Sequence, residues 1–490
     1  MPKKPVRSDA PPALYDAIDV EQARRMQAEI LAAVRSYGLD PFTTVFEMID
    51  FDEMNEVVSY GGFPNRYPHW RFGMEFESIR KSYAYGLHKI YELVINNDPC
   101  YAYLLKSNSA IEQKIVMAHV YGHSDFFKNN LWYEPTNRRM LDEMANHGAR
   151  IKALMDRHGI DAVENFLDTA LSVENLIDVH SMYVPQARPK PKFDDAGEEA
   201  APAAEVPRLT ATHRYMEKFI NPPDYVEQQK RKLETQRIEQ AKRFPESPVR
   251  DVLLFLAEHA PLPTWQREAL SMIREEAYYL APQHLTKIMN EGWAAFWHSK
   301  ILTEKALRDD EMVDYADINA GVLGGGAAMN PYKLGLELFR DVESRWGRAK
   351  LFEVRRVHSD VTFVDNFLTE EFCERHQFFL YRYNPQRGVY EIASREFPVI
   401  KRTMLFKLTN MGQPRLEVVD ADFRGKQGLL LRHLHDGVDL EVDEAKDTLA
   451  AVFKVWQRPV HAWTVVEGQH RLLSFDGHEH KEANITDKGP

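Results

Sequence analysis

The chain has 490 residues, of which 44% are hydrophobic and 28% charged, a composition typical of a globular protein with two or three domains. Its net charge of -12 argues against nonspecific binding to nucleic acid or anionic membranes. No apolar run is long enough for a membrane span, and the first residues lack the apolar stretch of a secretory signal. The two cysteines, Cys100 and Cys373, are far apart, so we expect a reducing, cytoplasmic location.

Periodicity and composition predict an α+β protein with a large, mainly helical N-terminal domain and a small C-terminal antiparallel α+β domain. We expect residues 1–12 to be disordered and residues 13–184 to form the first half of the helical core. A segment rich in Pro, Ala and Glu, 185–224, is predicted to be a linker or surface excursion. The second half of the core follows at 225–350 and the C-terminal domain at 351–490. That last domain contains no catalytic constellation, so binding or formation of a homodimer is its expected role.

Three stretches give more specific expectations about secondary structure. The pattern predicts a helix over 78–96 and a long helical region over 265–302, which Pro282 either divides or kinks. Strand-like runs recur at regular spacing in the C-terminal domain, and TMLFKLTN (403–410) is included among them.

The most informative stretch is 110–130, which reads AIEQKIVMAHVYGHSDFFKNN. His119 and His123 are four residues apart, so in a helix both imidazoles project from the same, largely apolar face. A helix offers two nitrogens to one metal ion in this way. The alternative is a pair of hydrogen-bonded core histidines without a metal, and spacing alone does not separate the two interpretations.

Later helices carry further candidate ligands. Glu291 and His298 share a face but lie seven residues apart, about 10.5 Å along a helix axis. One of them is therefore expected to bind the metal while the other supports it. Glu143 and His147 are a further pair at a spacing of four, and so are Glu174 and Asp178. Each of these pairs alone is more typical of a solvated face or a buried salt bridge than of a ligand set.

Five stretches of the chain together resemble the stage V sporulation protein R (SpoVR) family. They occur in the expected order over most of the chain: GGFPNRYPHWRFGMEFE, AHVYGHSDFFKNN, PQHLTKIMNEGWAAFWH, NPYKLG and VHSDVTFVDNFLTEEF. The resemblance implies a bacterial cytoplasmic protein, linked in spore formers to assembly of the spore cortex, a peptidoglycan layer. In other bacteria it implies a stress or developmental role beside a serine protein kinase and a von Willebrand-type protein. The family brings no settled biochemical activity.

The stretch His119-Val-Tyr-Gly-His123 is also similar to the HExGH helix of zinc peptidases, and Glu291 is similar to their downstream glutamate ligand. Such enzymes place a glutamate directly after the first histidine as the general base for the attacking water. Val120 occupies that position here, so a hydrolytic mechanism would need Glu276 or Asp125 to manage protons instead.

Three hypotheses follow. The first is a metal-dependent hydrolase of a cell-wall peptide or related amide, in which His119, His123 and Glu291 bind zinc or another divalent ion. The second is a regulatory or scaffold protein that keeps these helices for structure and works through partners. The third is a di-metal protein that adds two carboxylate and histidine pairs as ligands: Glu143 with His147, and Glu174 with Asp178.

Overall fold

The computed structural model describes residues 18–84, 92–184, 222, 227–229, 231, 244–323 and 330–485. The segments predicted to be disordered (1–12) or a linker (185–224) lie outside the described residues, apart from residue 222. No helix in the described ranges is long and apolar enough to cross a membrane.

As far as residue 301, the described part of the chain is mostly helical, with three short strands. In chain order its elements are α1 Val20–Ser36, β1 Thr44–Ile49, α2 Phe51–Ser59, α3 Trp70–Ala84, β2 Glu92–Ile95, β3 Cys100–Leu105, α4 Ala110–Asn129, α5 Met140–His158, α6 Ile160–Ser172, α7 Val252–His259, α8 Thr264–Leu285 and α9 Lys287–Ile301.

The second half begins with helices and ends in a sheet. Its elements are α10 Met312–Leu323, α11 Pro331–Trp346, α12 Arg348–Val357, α13 Asp360–Phe367, α14 Glu370–His376, β4 Leu380–Asn384, β5 Val389–Ser394, α15 Phe397–Leu408, β6 Leu416–Phe423, β7 Gly428–His433, α16 Val442–Trp456, β8 Val460–Val466, β9 Gln469–Phe475 and β10 His480–Asn484. Single 3₁₀ turns cover Leu131–Tyr133, Ser181–Tyr183, Asp309–Glu311 and Thr409–Gly412, and a π-helical turn covers Leu302–Ala306.

The described residues fall into two compact units. The first lies within Met1–Asn165 and Glu275–Gln413, and the second within Phe166–Arg274 and Pro414–Pro490. This confirms the predicted fold class, a large helical N-terminal part and a small sheet-containing C-terminal part. The domain boundaries given above stay a prediction.

The second unit contains a five-stranded sheet with the order β10-β9-β8-β7-β6. Neighbouring strands are antiparallel except β7 and β8, which are parallel. Parallel neighbours need a crossover connection, and α16 provides it between these two strands. The sheet is therefore antiparallel-rich rather than fully antiparallel.

The first unit contains a three-stranded sheet, ordered β1-β3-β2, that the sequence patterns did not indicate. The helix predicted over 78–96 was wrong at its C-terminal end, because β2 covers Glu92–Ile95; α3 is described as far as Ala84. The β-branched residues Val94 and Ile95 pair with β3 across a short turn, and this pairing outweighs helix propensity.

One predicted strand is a helix, and one long helical region is divided. TMLFKLTN (403–410) lies mostly in α15, whose first turn contains Pro398, a residue preorganised for a helix start. A short apolar run cannot be assigned to strand or helix by periodicity alone. The region 265–302 forms two helices, α8 and α9, with Pro282 in the last turn of α8.

Three helices of the first unit, α4, α9 and α11, cross with almost no side chain between them. A Cβ atom on Gly122 of α4 would lie 2.6 Å from Ala294 Cα of α9. Gly292 of α9 faces Gly335 of α11, and a Cβ on Gly335 would overlap the Ile288 carbonyl oxygen. Only glycine permits so close an approach of the backbones. Around these crossings lie large buried aromatic side chains: Trp293, Trp297, Phe296, Phe126 and Phe339.

We expect Gly335→Ala to lower the free energy of unfolding by about 1–3 kcal/mol or more, because its methyl group would overlap backbone rather than a movable side chain. Chemical denaturation followed by circular dichroism measures this change. The control is Gly73→Ala in α3, where a Cβ meets nothing within 4 Å. It should leave stability unchanged or raise it by up to about 1 kcal/mol. Equal midpoints for the two variants would contradict the close crossing.

Candidate metal centre

The helix α4 carries the two histidines of the candidate centre. A capping box closes its N-terminus: Ser109 Oγ accepts from the Glu112 amide, and the Glu112 carboxylate accepts from the Ser109 amide. This closure is needed because the helix is buried nearly all round, so solvent cannot satisfy its first amides. His119 and His123 lie one turn apart, with ring centroids 4.6 Å from each other.

The helix α9 supplies the carboxylate of the centre, Glu291. Its first amides are capped by Asp360 of α13, a buried residue whose carboxylate accepts from Ile288 N at 2.8 Å and from Met289 N at 2.9 Å. Burial raises the pKa of Asp360 to about 7, although the two amides and a nearby lysine act in the opposite direction. The cap sets where α9 begins, about one turn before Glu291.

His119, His123 and Glu291, hereafter the His/Glu cluster, each bring one ligand atom to within 4.8 Å of the others. Glu291 Oε2 lies 3.6 Å from His119 Nε2 and 3.5 Å from His123 Nε2. Two ligand atoms bound tetrahedrally at about 2.0–2.2 Å from one ion lie roughly 3.3–3.6 Å apart. The separations in the cluster are therefore those that a single ion requires.

Hydrogen bonds at Nδ1 determine which nitrogen of each histidine faces the cluster carboxylate. His123 Nδ1 lies 2.8 Å from Asn290 Oδ1, an acceptor, so Nδ1 carries the hydrogen. His298 Nε2 likewise donates to Asn319 Oδ1 at 3.3 Å, which leaves His298 Nδ1 to accept from His119 Nδ1 at 2.7 Å. Because Nδ1 is occupied in each ring, Nε2 is the atom that both cluster histidines turn toward the carboxylate, and a neutral imidazole with this tautomer binds a metal through Nε2.

The hydrogen bonds from His119 to His298 and from His298 to Asn319 require a neutral His298, and its surroundings keep it neutral. Burial lowers the pKa of His298 well below its usual value, and His119 acts in the same direction. His298 therefore lies against His119 and orients it. This is the geometry of a supporting residue rather than of a third nitrogen ligand.

Glu291 is ionised and has one oxygen available to a cation. Burial alone would raise its pKa, but the two cluster histidines and Lys287 outweigh burial, and the pKa lies well below the usual value. Lys287 Nζ contacts Oε1 at 2.6 Å. The other oxygen, Oε2, is buried and makes no hydrogen bond to any residue in the described parts of the chain. A buried, ionised oxygen between two imidazole nitrogens is an arrangement that a cation completes.

The cluster fits a divalent transition-metal ion on three grounds: ligand separation, histidine tautomers and the buried oxygen of Glu291. Two imidazoles and one carboxylate are the donor set of catalytic zinc sites such as that of thermolysin, and also of non-haem iron sites. The side chains are nearly closed off, since His119, His123 and Glu291 are 4%, 4% and 6% exposed.

The residues predicted to transfer protons, Asp125 and Glu276, make their contacts with residues outside the His/Glu cluster. Val120 is fully buried at the position where zinc peptidases have their base. The Asp125 carboxylate accepts from Trp293 Nε1 at 2.9 Å and from the Asp40 amide at 2.7 Å, and it lies 3.4 Å from Arg355 Nη1. Burial raises the pKa of Asp125, and Arg355 opposes that shift. These contacts join α4 to α9 and α12, and the catalytic role of Asp125 stays a prediction.

The structure brings Glu276 together with Glu143 and His147, not with the His/Glu cluster residues. Glu276 Oε1 lies 3.0 Å from His147 Nδ1, and its Oε2 pairs with Arg66 Nη2 at 2.5 Å. Glu143 Oε1 lies 3.4 Å from His147 Nε2. Glu174 and Asp178 belong to the second unit and take part in neither of the two groups of ligand atoms found among the described residues.

Sequence reasoning missed the residues that support the cluster. Asn290 is adjacent to Glu291, and Asn319 lies in a helix without any metal-binding spacing, so no local signal distinguishes either of them. Lys287 could have been found, because it lies one turn before Glu291 on the same helix. Asp360 lies in a stretch quoted for the family resemblance, but its contact with α9 depends on the tertiary fold.

The fold and the cluster together define a mainly helical protein with a candidate divalent metal centre. The family model for SpoVR like protein matches residues 17–413, and the model for the SpoVR-like C-terminal domain matches residues 414–466. The chain belongs to the SpoVR family, which confirms the resemblance found in the sequence. It is 28% identical over 493 residues to the uncharacterized protein YcgB of Escherichia coli (strain K12), an alignment that covers 92% of each chain. No solved structure matches the chain significantly.

We expect Asp125→Asn to lower the free energy of unfolding by roughly 3 kcal/mol, because the change leaves Arg355 without its buried counter-charge. Metal content per folded chain should not change, since Asp125 is not a ligand. Denaturation midpoints and elemental analysis measure the two effects. Asp142→Asn is the control: its carboxylate is 71% exposed and pairs only with a surface arginine, so a cost below about 1 kcal/mol is expected. A stable Asp125→Asn protein that has lost metal would contradict this assignment.

Proposed function

We propose that this SpoVR-family protein binds one divalent metal ion, zinc, through His119, His123 and Glu291, and that it hydrolyses an amide bond of a cell-wall peptide. One observation carries the proposal: the Nε2 atoms of both histidines converge on Glu291 Oε2 at distances of 3.6 and 3.5 Å. The peptide substrate comes from the family's link to the spore cortex, and the reaction class comes from the donor set.

A bound zinc ion would supply Lewis-acid polarisation of a carbonyl and a lowered pKa for water. The residues of the chain prepare the site for that ion. Asn290 and His298 orient the two imidazoles, and Lys287 occupies one oxygen of Glu291 so that the other faces the histidines. Such supporting contacts typically change metal affinity or activity by about 10–100-fold.

A second candidate function is a regulatory or scaffold protein, and Val120 favours it. Without a proton acceptor after His119, the cluster lacks the general base of zinc peptidases, and its ligands are almost fully buried. In that case an ion would join α4 to α9 structurally. The protein would then act by binding partners. By family context these are a serine protein kinase and a von Willebrand-type protein, and a second copy of the chain is a further candidate.

We also propose a cytoplasmic location. Cys100 and Cys373 are both buried and form no disulfide, which supports a reducing compartment. Burial raises the pKa of the Cys100 thiol to about 12, so this residue stays protonated and unreactive.

We expect protein purified without chelators or a metal-binding tag to contain one equivalent of zinc at the His/Glu cluster, and His123→Ala to lose that equivalent. Elemental analysis with mass spectrometric detection measures it. The control is His478→Ala, which removes an exposed imidazole near the C-terminus and should keep the parent zinc content. Metal-free, folded parent protein that gains no thermal stability from added zinc would sink the proposal. If the analysis finds iron instead of zinc, the proposed reaction class changes from hydrolysis to redox chemistry.

Cleavage of peptidoglycan fragments distinguishes the hydrolase from the scaffold. We expect the zinc-loaded protein to release new amino and carboxyl termini from peptidoglycan fragments, detected by mass spectrometry, and Glu291→Gln to abolish that release. Lys426→Gln, which neutralises a charge in the second unit, is the matched control and should keep full activity. Zinc-loaded protein that leaves every fragment intact would favour the scaffold.

A further inference from the structure

A second group of ligand atoms, which shares no residue with the His/Glu cluster, joins α5 to α8. Glu143, His147 and Glu275 each bring one ligand atom to within 4.8 Å of the others. We propose that these three residues, hereafter the second cluster, form a separate binding site for a divalent transition-metal ion such as Mn²⁺ or Zn²⁺. This inference does not rest on the proposed function, because it uses different residues on different helices.

The distances in the second cluster match those that one ion requires. His147 Nε2 lies 3.4 Å from Glu143 Oε1 and 3.5 Å from Glu275 Oε2. Ligand atoms bound at about 2.0–2.2 Å from one ion lie roughly 3–3.6 Å apart. Glu143 Oε1 also accepts from Asn146 Nδ2 at 3.0 Å, which holds its carboxylate beside His147.

The buried nitrogen of His147 is the observation that points to a ligand. The His147 side chain is 0% exposed, and its Nε2 makes no hydrogen bond to any described residue. A buried nitrogen without a hydrogen bond is unfavourable, because it has lost its contacts with water and gained none in return. Here the nitrogen is aimed between two carboxylate oxygens, and a cation satisfies all three atoms together.

Glu276 orients the imidazole from its other side. Glu276 Oε1 lies 3.0 Å from His147 Nδ1, and Arg66 pairs with Glu276 Oε2 at 2.5 Å. Because Glu276 already accepts from Arg66, we assign the carboxylate as the acceptor toward His147 as well, so that His147 Nδ1 carries the hydrogen. The ring then turns its Nε2 toward Glu143 and Glu275. Metal sites often contain a histidine that binds the metal through one ring nitrogen and donates to a carboxylate through the other.

Helix geometry explains how two elements assemble this site. Glu143 and His147 are one turn apart on α5 and therefore share a face. Glu275 and Glu276 are consecutive on α8 and project about 100° apart, so one contacts each nitrogen of the same ring. Glu143 and Glu275 are 30% and 47% exposed, so an ion can enter from solvent.

Charge also favours a divalent cation. Three carboxylates, of Glu143, Glu275 and Glu276, surround His147, and Arg66 compensates one of them. A divalent ion would balance the two negative charges that remain in this group. The competing occupant is a proton on His147 Nε2. That proton would be shared between two oxygens at 3.4 and 3.5 Å, both longer than an ordinary N–H···O hydrogen bond.

The test is a Mn²⁺ titration of the full-length, metal-stripped protein. The electron paramagnetic resonance signal of free Mn²⁺ reports the number and affinity of bound ions. We expect Glu275→Gln to remove one bound equivalent or to weaken it at least about 100-fold, because it deletes a ligand. The matched control is Glu268→Gln, which makes the same change seven residues earlier on α8 and should bind as the parent does.

Each combination of results assigns the ion to one cluster. Loss of an equivalent in Glu275→Gln supports the second cluster, whether or not His123→Ala, which reports on the His/Glu cluster, loses one as well. Loss in His123→Ala alone, with Glu275→Gln binding as many ions as tightly as the parent, overturns it and leaves His147 as a protonated ion-pair partner. Glu143→Gln serves as a second ligand variant and should reproduce the Glu275→Gln result. Glu275 is half exposed, so its substitution should leave the fold intact.

Discussion

The closeness of three helix backbones is the constraint on which the rest of the first unit depends. α4 meets α9 where Gly122 faces Ala294, and α9 meets α11 where Gly292 faces Gly335. Gly122 immediately precedes His123, so the first crossing lies directly beside the candidate ligands. Catalytic and metal-binding groups must be held to within about 0.5 Å of a productive geometry. A side chain at position 122 would push α4 away from α9 and so widen the gap between His123 and Glu291.

Two buried carboxylates then fix the rotation of α9 and its position along its axis between the neighbouring helices. The Asp125 carboxylate of α4 accepts a hydrogen bond from the Trp293 indole, and the Asp360 carboxylate of α13 accepts from the first amides of α9. The two carboxylates act on different parts of the helix, one on a side chain and the other on the backbone. Both charges have partners, as buried charges require. The direction in which Glu291 points is thus decided by residues that would not touch an ion themselves.

The main elements of the candidate centre could be predicted, because they depend on spacing within one helix. His119 and His123 at a spacing of four, and Glu291 and His298 at seven, already identify two faces that carry ligands. Tertiary contacts could not be predicted: nothing in the sequence pairs His298 with His119, or tells which of Glu275 and Glu276 faces inward. The same limit applies to the strand at 92–95: its hairpin with β3 belongs to a sheet completed by β1, which is distant in sequence. Short runs such as 403–410 fit a strand and a helix equally well.

The exposed ammonium group of Lys287 has a consequence for metal selectivity. It engages Glu291 Oε1, so the carboxylate can offer a cation only its second oxygen. The His/Glu cluster therefore supplies three donor atoms, two nitrogens and one oxygen. Ca²⁺ demands six to eight oxygens and Mg²⁺ a nearly complete oxygen octahedron, so both are disfavoured. If the proposed site binds a metal, a lysine at the edge of the cluster would thereby disfavour the abundant hard cations of the cell.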